Sequence, residues 1–406
     1  MSVYPGFGVN YKNVQANWAA DRNYFNLIGL NSIRTNPTSL PVPWSAGNPA
    51  SAGSYAYWRF CAQTFHNNGF WVASGPPNGG TLNNNNVTQN AWSAYETAVL
   101  SEAAYLVAND IVFDTFTFAN EMAAARYNPL AITQSGGVAT AVTSSQHNFT
   151  NGQNINIFGA NISGYNGNNI PITVINAKTF TYSVSPSLPT LVSGAKAYDM
   201  SLTQYIANIM DLAGKIKAVS GWTMPVSVDE YNYKDPITQQ FTYTAYINNG
   251  LGNLDLISIH PYGNINLSTQ TVAIGGFTYI QEMIEAFGEQ CYISEFNLDS
   301  TSSNLSGLNP VTTVSTMQSF LQTYIFGNNV SRFIAYEWCE ELNNRPTDYG
   351  FAQLKPNGDM NPMWFTFFES NPTEYDKGHR PVGARSSVSR NSVNRTTPKR
   401  PLFNTS

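Results

Sequence analysis

The sequence predicts an α/β protein, a (β/α)8 TIM barrel with a small all-β domain inserted in the loop between its fourth strand and fourth helix. Short apolar runs alternate eight times with longer amphipathic segments, which is the order of elements in such a barrel. The 406 residues exceed the roughly 250 that this fold needs. The competing doubly wound sheet would carry a glycine fingerprint after its first strand, and "GFGVNYKN" lacks the third glycine.

Eight segments have the composition of buried strands, because they are short, rich in β-branched and aromatic residues, and bounded by turn residues. They are "GFGVN" (6–10), "NSIRT" (31–35), "FWVAS" (70–74), "IVFDTFTFA" (111–119), "MPVSVD" (224–229), "LDLISIH" (254–260), "CYISEF" (291–296) and "FIAYEW" (333–338). The amphipathic segments that follow them lie at about 14–28, 55–68, 86–108, 200–219, 236–250, 271–288, 311–326 and 361–369. In the second, Tyr55, Trp58, Ala62 and Phe65 recur at helical spacing, which predicts one buried face.

Residues 131–198 interrupt the alternation and contain only two charged residues, Lys178 and Lys196. The runs "NINIFG", "IPITVI" and "TFTYSV" alternate at period two between the turns "GYNGNN" and "NAK", which predicts a small all-β domain with its own core. The segments "HNFTNGQNINIFG", "GYNGN" and "NAKTFTYSVS" resemble the β-rich modules that are repeated in bacteriophage tail and virion proteins. Because this domain follows the fourth strand closely, we expect it to shape a substrate groove or to mount the protein on a larger assembly.

The predicted organisation is a barrel of residues 1–130 plus 199–375, an inserted domain of residues 131–198, and a flexible basic tail of residues 376–406. The tail contains seven Lys and Arg residues and one Asp, whereas the rest of the chain contains 13 basic and 24 acidic residues. A body this acidic disfavours nucleic-acid binding. The inserted domain and the basic tail are the two candidate surfaces for contacts with other virion or tail proteins.

Composition excludes several further classes of protein. No run of 18 apolar residues is present, which excludes a transmembrane helix, and "MSVYPGFGVNYKN" lacks the charged and apolar regions of a signal peptide. Three cysteines are too few for a disulfide framework, and four scattered histidines offer no metal-ligand spacing. We therefore expect a soluble protein made in the cytoplasm, without metal or cofactor, that is virion-associated or released by lysis if it comes from a phage.

Polar residues stand at the carboxyl ends of the predicted strands, where a barrel places its functional groups. The fourth strand ends in Asn120 and Glu121, and the seventh contains Glu295. Glycoside hydrolysis needs one carboxylic acid that protonates the leaving oxygen and one carboxylate that attacks or activates water. Two carboxyl groups about 5 to 5.5 Å apart would use the retaining, covalent route. The low fraction of charged residues, 11%, is also typical of proteins that handle neutral, hydroxyl-rich ligands.

Five motifs together resemble the clan of retaining (β/α)8 glycoside hydrolases, cellulase- and mannanase-like, whose catalytic glutamates follow strands four and seven. These motifs are "SIRTN", "FANEM", "SIHPYG", "ISEFN" and "YEWCE", and the resemblance covers about residues 4–370. It implies that Glu121 is the acid/base and Glu295 the nucleophile. It also implies that five further residues bind substrate or support the site: Arg34, Asn120, His260, Tyr262 and Trp338.

The resemblance assigns each supporting residue a task. Arg34 would keep the nucleophile ionised, because a nearby guanidinium lowers the pKa of a carboxyl group. Asn120 would contact the sugar 2-hydroxyl, and Tyr262 would hydrogen-bond the nucleophile. His260 would line the cleft, and the indole of Trp338 would pack against the apolar face of the sugar. One departure is that "VASGPPNGG", after the third strand, lacks the histidine that many members carry there.

The leading functional interpretation is a retaining endo-β-glycosidase that acts on a β-linked poly- or oligosaccharide, with a bacterial surface glycan as the phage-related substrate. The alternative is a non-catalytic virion or adhesion protein that binds glycan in the barrel cleft. An intracellular lyase or aldolase would need a strand-end lysine or a phosphate-binding glycine loop, and neither occurs. Asp229 and Glu230, after the fifth strand, are interpreted as a helix start or a subsite pair.

Overall fold

The computed structural model describes residues 6–11, 32–35, 52–74, 87–260, 262–266, 271–274, 277–299 and 332–335. Several features that the sequence predicts lie outside these described residues. They are the helices at 14–28, 311–326 and 361–369, the tail of residues 376–406, and Trp338.

The described part of the chain contains eighteen strands and five α-helices. The strands are β1 (Gly6–Tyr11), β2 (Ser32–Thr35), β3 (Trp71–Ala73), β4 (Phe116–Asn120), β5 (Asn128–Ser135), β6 (Val138–Thr143), β7 (Asn154–Phe158), β8 (Gly167–Pro171), β9 (Thr173–Asn176), β10 (Thr179–Ser183), β11 (Leu191–Val192), β12 (Lys196–Tyr198), β13 (Val226–Glu230), β14 (Leu256–Ile259), β15 (Tyr262–Asn266), β16 (Thr271–Ile274), β17 (Cys291–Asp299) and β18 (Arg332–Ala335). The α-helices are α1 (Ala52–Asn67), α2 (Gln89–Ala108), α3 (Leu202–Lys217), α4 (Thr242–Asn249) and α5 (Phe277–Phe287).

Eight parallel strands, one at each predicted strand segment, form the parallel ring. Their order is β3-β2-β1-β18-β17-β14-β13-β4, and every neighbouring pair is parallel. A parallel bridge between Ala73 and Thr115 joins the edge of β3 to the residue before β4, so the order closes on itself. The carboxyl ends of all eight strands therefore meet at one rim.

Helices cover the outside of this ring because each has one apolar face. Helix α3 begins at a capping box, in which the Ser201 side chain accepts from the Gln204 backbone N–H and the Gln204 side chain accepts from that of Ser201. Its buried face includes Tyr205, Ile209 and Ile216, which pack in the same apolar cluster as the ring strands. Among the described helices, none combines the length and hydropathy of a membrane-spanning segment.

Strands β5 to β12 form the second sheet, which is antiparallel throughout and begins at Asn128. Residues of β5 alternate strictly between buried and exposed, as period-two patterning requires of a sheet with one apolar face. The sheet buries an apolar cluster separate from that of the ring. Gly159, directly after β7, and Gly194, shortly before β12, approach each other at positive φ, and a Cβ on Gly194 would lie 2.7 Å from the Gly159 carbonyl oxygen.

Candidate functional site

Arg34 in β2 is the centre of a charged network at the rim of the parallel ring. The residue is 1% exposed, and its guanidinium donates to three side chains from three other strands. Nη1 donates to Glu295 Oε1 at 2.5 Å, and Nη2 donates to Asn120 Oδ1 at 2.8 Å and Asp229 Oδ2 at 2.5 Å. Burial lowers the pKa of Arg34, but the charges of Asp229 and Glu295 outweigh burial and raise it above its usual value. The cation is therefore permanent, and it holds these carboxylates in place.

Glu295 in β17 is the more enclosed of the two predicted catalytic carboxylates. It is 8% exposed, and one of its oxygens accepts from Arg34. Its other oxygen, Oε2, lies 3.7 Å from His260 Nδ1. A buried carboxylate between two cationic groups is stabilised in its charged form, which is what a nucleophile requires.

Glu121, the residue after β4, stands at the mouth of the site and has a more exposed side chain, at 35%. Its backbone is in the left-handed region at φ 52°, which costs a residue other than glycine of order 1 kcal/mol. The Glu121 N–H donates to the Asp229 carbonyl at 2.8 Å, and this bond holds the strained turn. Such strain at the end of a strand is common where a side chain must be aimed at a functional site.

His260, directly after β14, joins the two carboxylates. Its Nδ1 lies 2.6 Å from Glu121 Oε1, and its Nε2 lies 2.8 Å from the Ser294 hydroxyl. Burial lowers the pKa of His260, but the charge of Glu295 and the hydrogen bond to Glu121 raise it to about 8. A pKa of about 8 favours the protonated imidazole at neutral pH, and its Nδ1 faces both Glu121 and Glu295.

The geometry meets the first requirement of the two-carboxylate mechanism. Ligand atoms of Glu121, His260 and Glu295 all lie within 4.8 Å of one another, although the two glutamates are separated by more than half of the described chain. Carboxylate oxygens this close are compatible with the roughly 5 to 5.5 Å that separates the carboxyl groups of retaining glycosidases. The pair can act on one bond of a sugar placed between them.

The same three side chains offer one nitrogen and two oxygen ligands, which could hold a divalent metal ion. The spacing of the histidines in the sequence did not indicate a metal site, because these three possible ligands come from three different strand ends. The guanidinium of Arg34, at 2.5 Å from Glu295, repels a second cation from the same carboxylate. The site is therefore better suited to acid/base and nucleophilic chemistry than to metal binding.

Two further acids lie beneath the rim, and their interpretation from sequence as a helix start or subsite pair is wrong. Asp229 and Glu230 are both 0% exposed and belong to β13, well before α4 begins. Asp229 is the second carboxylate of Arg34 and also accepts from the Tyr292 hydroxyl at 3.2 Å. The sequence signal for the position of Asp229 was its spacing of two from Ser227, which places both side chains on the same face of β13, the inner face of the ring.

Glu230 lies behind the site in a pocket of tyrosines on α3 and α4. The Tyr205 hydroxyl donates to its Oε1, and the Tyr246 hydroxyl lies 3.4 Å from the same oxygen. Its Oε2 has no hydrogen-bond partner among the described residues. Burial raises the pKa of Glu230 to about 8, although the bond from Tyr205 opposes the shift. Glu230 is therefore neutral at neutral pH and adds no negative charge behind Glu121.

The structure brings together five of the seven residues that the sequence singled out: Arg34, Asn120, Glu121, His260 and Glu295. The backbone of Tyr262 lies in β15, paired with Asn297 of β17, whereas its side chain lies outside the described part. Trp338 lies outside it as well. The catalytic and binding roles of all seven stay predictions.

The chain matches no protein-family model and no curated protein. It is similar in structure to the exo-β-1,4-mannosidase Op5Man5 from Opitutaceae bacterium strain TAV5, with a TM-score of 0.51, 10% identity, and coverage of 92% of this chain and 60% of that one. It is also similar to a glycosylated family 10 endo-β-1,4-xylanase from Gloeophyllum trabeum, with a TM-score of 0.50, 7% identity, and coverage of 91% of this chain and 96% of that one. For Saccharomyces cerevisiae Gas2p in complex with laminaritriose and laminaritetraose, the TM-score is 0.45 and the identity 13%, with coverage of 99% of this chain and 70% of that one. The first two likenesses show the fold of TIM-barrel glycoside hydrolases.

Proposed function

We propose that this protein is a retaining glycoside hydrolase that cleaves a β-linked poly- or oligosaccharide on a (β/α)8 barrel. Glu295 is the nucleophile and Glu121 the acid/base. One observation carries the proposal: two carboxylates within 4.8 Å of each other have different surroundings. The guanidinium of Arg34 stabilises the charged form of the enclosed carboxylate, Glu295. The exposed carboxylate, Glu121, shares a hydrogen bond with His260. Retaining hydrolysis needs this division of tasks.

In the first step, a Glu295 oxygen attacks the anomeric carbon while the bond to the leaving oxygen breaks. The leaving oxygen takes its proton from Glu121, and the proton held in the 2.6 Å contact between Glu121 and His260 supplies that acid. The product of this step is a glycosyl ester of Glu295 and a free alcohol. Asn120, held by Arg34 at 2.8 Å, is placed to contact the sugar hydroxyl next to the reacting carbon.

In the second step, water replaces the ester. Glu295 is uncharged as an ester, so the field at the site becomes less negative and Glu121 can act as a base. Glu121 removes a proton from water, the hydroxide oxygen bonds to the anomeric carbon, and the Glu295 carboxylate leaves. The product keeps the configuration of the substrate because two inversions have occurred.

The proposal is tested with a panel of 2-fluoro glycosyl fluorides of gluco, manno and xylo configuration, followed by intact-mass measurement and peptide mapping. We expect one covalent adduct on Glu295 for one member of the panel. The adduct should be absent in Glu295→Gln and present in Glu289→Gln, a matched control at an exposed glutamate before β17.

Three outcomes would contradict this function. An adduct on a different residue would remove Glu295 from its role. If NMR shows that hydrolysis of a polysaccharide inverts the anomeric configuration, then water and not Glu295 attacks the sugar. Binding of glycans without any turnover would favour the alternative, a non-catalytic glycan-binding protein.

We also infer that the second sheet is a domain inserted in the barrel, and that it mounts the enzyme on a phage particle. Its separate apolar cluster supports the first part, and the resemblance of "HNFTNGQNINIFG" and "NAKTFTYSVS" to phage tail modules supports the second. The measurement is cosedimentation of the protein with purified particles of the phage that encodes it. Recovery only in the particle-free lysate would contradict the virion role.

A further inference from the structure

Five aromatic side chains form a continuous row that leads from the site to the second sheet. This aromatic row consists of Tyr231, Tyr233, Tyr127, Tyr198 and Phe158. The ring centroids of Tyr231 and Tyr233 are 5.9 Å apart, and those of Tyr233 and Tyr127 are 6.1 Å apart. From Tyr127 the row continues to Phe158 at 5.3 Å and Tyr198 at 5.4 Å. The five rings therefore bridge two structural units through contacts between neighbours.

The row starts beside Glu121 and extends away from Glu295. Tyr231 is the residue after β13, and the bond from the Glu121 N–H to the Asp229 carbonyl ties that strand end to Glu121. Burial and, after it, the charge of Glu121 raise the pKa of the Tyr231 hydroxyl, in agreement with this proximity. Glu295 lies on β17, which β14 separates from β13 in the ring order. The row is thus on the side of the acid/base.

Three rings of the row are partly accessible, and two are buried. Tyr231, Tyr233 and Phe158 are half-buried, whereas Tyr127 and Tyr198 are 3% and 7% exposed. A rigid backing of this kind keeps flat rings in position at little entropic cost on binding.

The polar groups behind the row satisfy one another. Arg126 Nη2 donates to Asp235 Oδ2 at 2.6 Å, and the Tyr127 hydroxyl donates to the same oxygen. The Arg126 guanidinium also lies 4.8 Å from the centre of the Tyr127 ring. The buried charges of Arg126 and Asp235 therefore form an internal pair, and the five side chains of the row are uncharged.

We propose that the aromatic row binds the leaving-group side of a polysaccharide chain, so that the second sheet contributes to substrate recognition through Phe158. The inference rests on the proposed function, because the acid/base contacts the leaving oxygen and the sugars beyond that oxygen extend away from the nucleophile. Aromatic faces suit the apolar C–H faces of sugar rings, and a row suits a chain of them. The bound molecule is a glycan with several units beyond the cleaved bond.

The test measures polysaccharide binding directly, in a Glu295→Gln background that prevents turnover. Tyr233→Leu and Phe158→Leu keep apolar volume at each position and remove the flat ring. Affinity electrophoresis against a panel of neutral and acidic soluble polysaccharides gives the dissociation constant of the one that binds. We expect each variant to weaken binding about two- to twelvefold, since an aromatic contact contributes about 0.5 to 1.5 kcal/mol. Ile175→Leu, at a 60% exposed position elsewhere in the same sheet, is the matched control and should leave binding unchanged.

A kinetic comparison in the otherwise unchanged chain separates chain recognition from chemistry. For Phe158→Leu, kcat/KM should fall much more on the polysaccharide than on an aryl glycoside, whose leaving group ends next to Glu121. Two results would show that the row only packs the ring against the sheet. One is an equal loss of kcat/KM on the two substrates in Phe158→Leu, and the other is polysaccharide binding by the row variants as strong as that of the Ile175→Leu control. Weaker binding by the row variants in a protein without glycosidase activity would keep this inference and refute the proposed function.

Discussion

Replacing Glu230 with glutamine should remove a pH-dependent cost of folding. The carboxyl is fully buried, its Oε2 has no partner among the described residues, and its pKa is raised from 4.5 to about 8. Between these two values the folded protein holds a proton that the unfolded chain has lost. Stability from this group is thus fully present below pH 4.5 and is lost as pH rises towards 8. Glutamine does not ionise, so the variant has no such loss.

The size of the effect follows from the shift. Each pH unit in this window costs about 1.4 kcal/mol of folding free energy, and the whole window costs about 5 kcal/mol. At pH 5 we expect Glu230→Gln to be as stable as the original chain or less so, since the new amide nitrogen has no acceptor. By pH 8 the variant should gain several kcal/mol relative to the original.

Urea unfolding at pH 5, 6.5 and 8, followed by tryptophan fluorescence, measures the difference. All eight tryptophans lie outside residues 128–198, so the signal does not come from the second sheet. Glu289→Gln, at an exposed position, should show the same pH dependence as the original chain. If the curves for Glu230→Gln and the original chain run parallel from pH 5 to 8, then Glu230 does not hold its proton in the folded state and the reasoning fails.

Three further changes test the site and the second sheet. Arg34→Met leaves buried carboxylates without their cation and should cost about 3 to 5 kcal/mol in urea unfolding at neutral pH; a loss below about 1 kcal/mol would contradict the network. In Glu295→Gln the pKa of His260, about 8 in the original chain, should fall, because burial still lowers it while the charge of Glu295, which raises it, is gone. An unchanged midpoint in an NMR titration of His260 would refute that cause. Gly194→Ala should destabilise the second sheet by more than about 1 kcal/mol, because its Cβ would lie 2.7 Å from a backbone oxygen. Amide hydrogen exchange in β12 reports this loss, and Gly152→Ala, with a similar φ but nothing within 4 Å, should have a smaller effect.

Local patterns in the sequence determined the elements and the candidate catalytic pair. Short apolar runs identified the ring strands, and period-two runs identified β7 to β10 of the second sheet, because both patterns are properties of each strand alone. Strands β5, β6, β11 and β12 were not among the predicted strands. Glu121 and Glu295 were recognisable because each follows or ends such a run. The sequence placed the start of the second sheet at residue 131, whereas the sheet begins at Asn128. The pair Asn128-Pro129 is typical of a turn, but in the structure it forms the first two residues of β5.

Only the tertiary structure decided how the acids differ. Arg34 reaches side chains 86, 195 and 261 positions away, and the register of four strands fixes which carboxylates share its charge. Burial then makes Glu230 a neutral acid, while Asp229, the preceding residue, pairs with a cation. Charge, proton affinity and burial at a site are properties of the assembled ring. They depend on which groups exclude water together, and no local segment of the sequence contains that information.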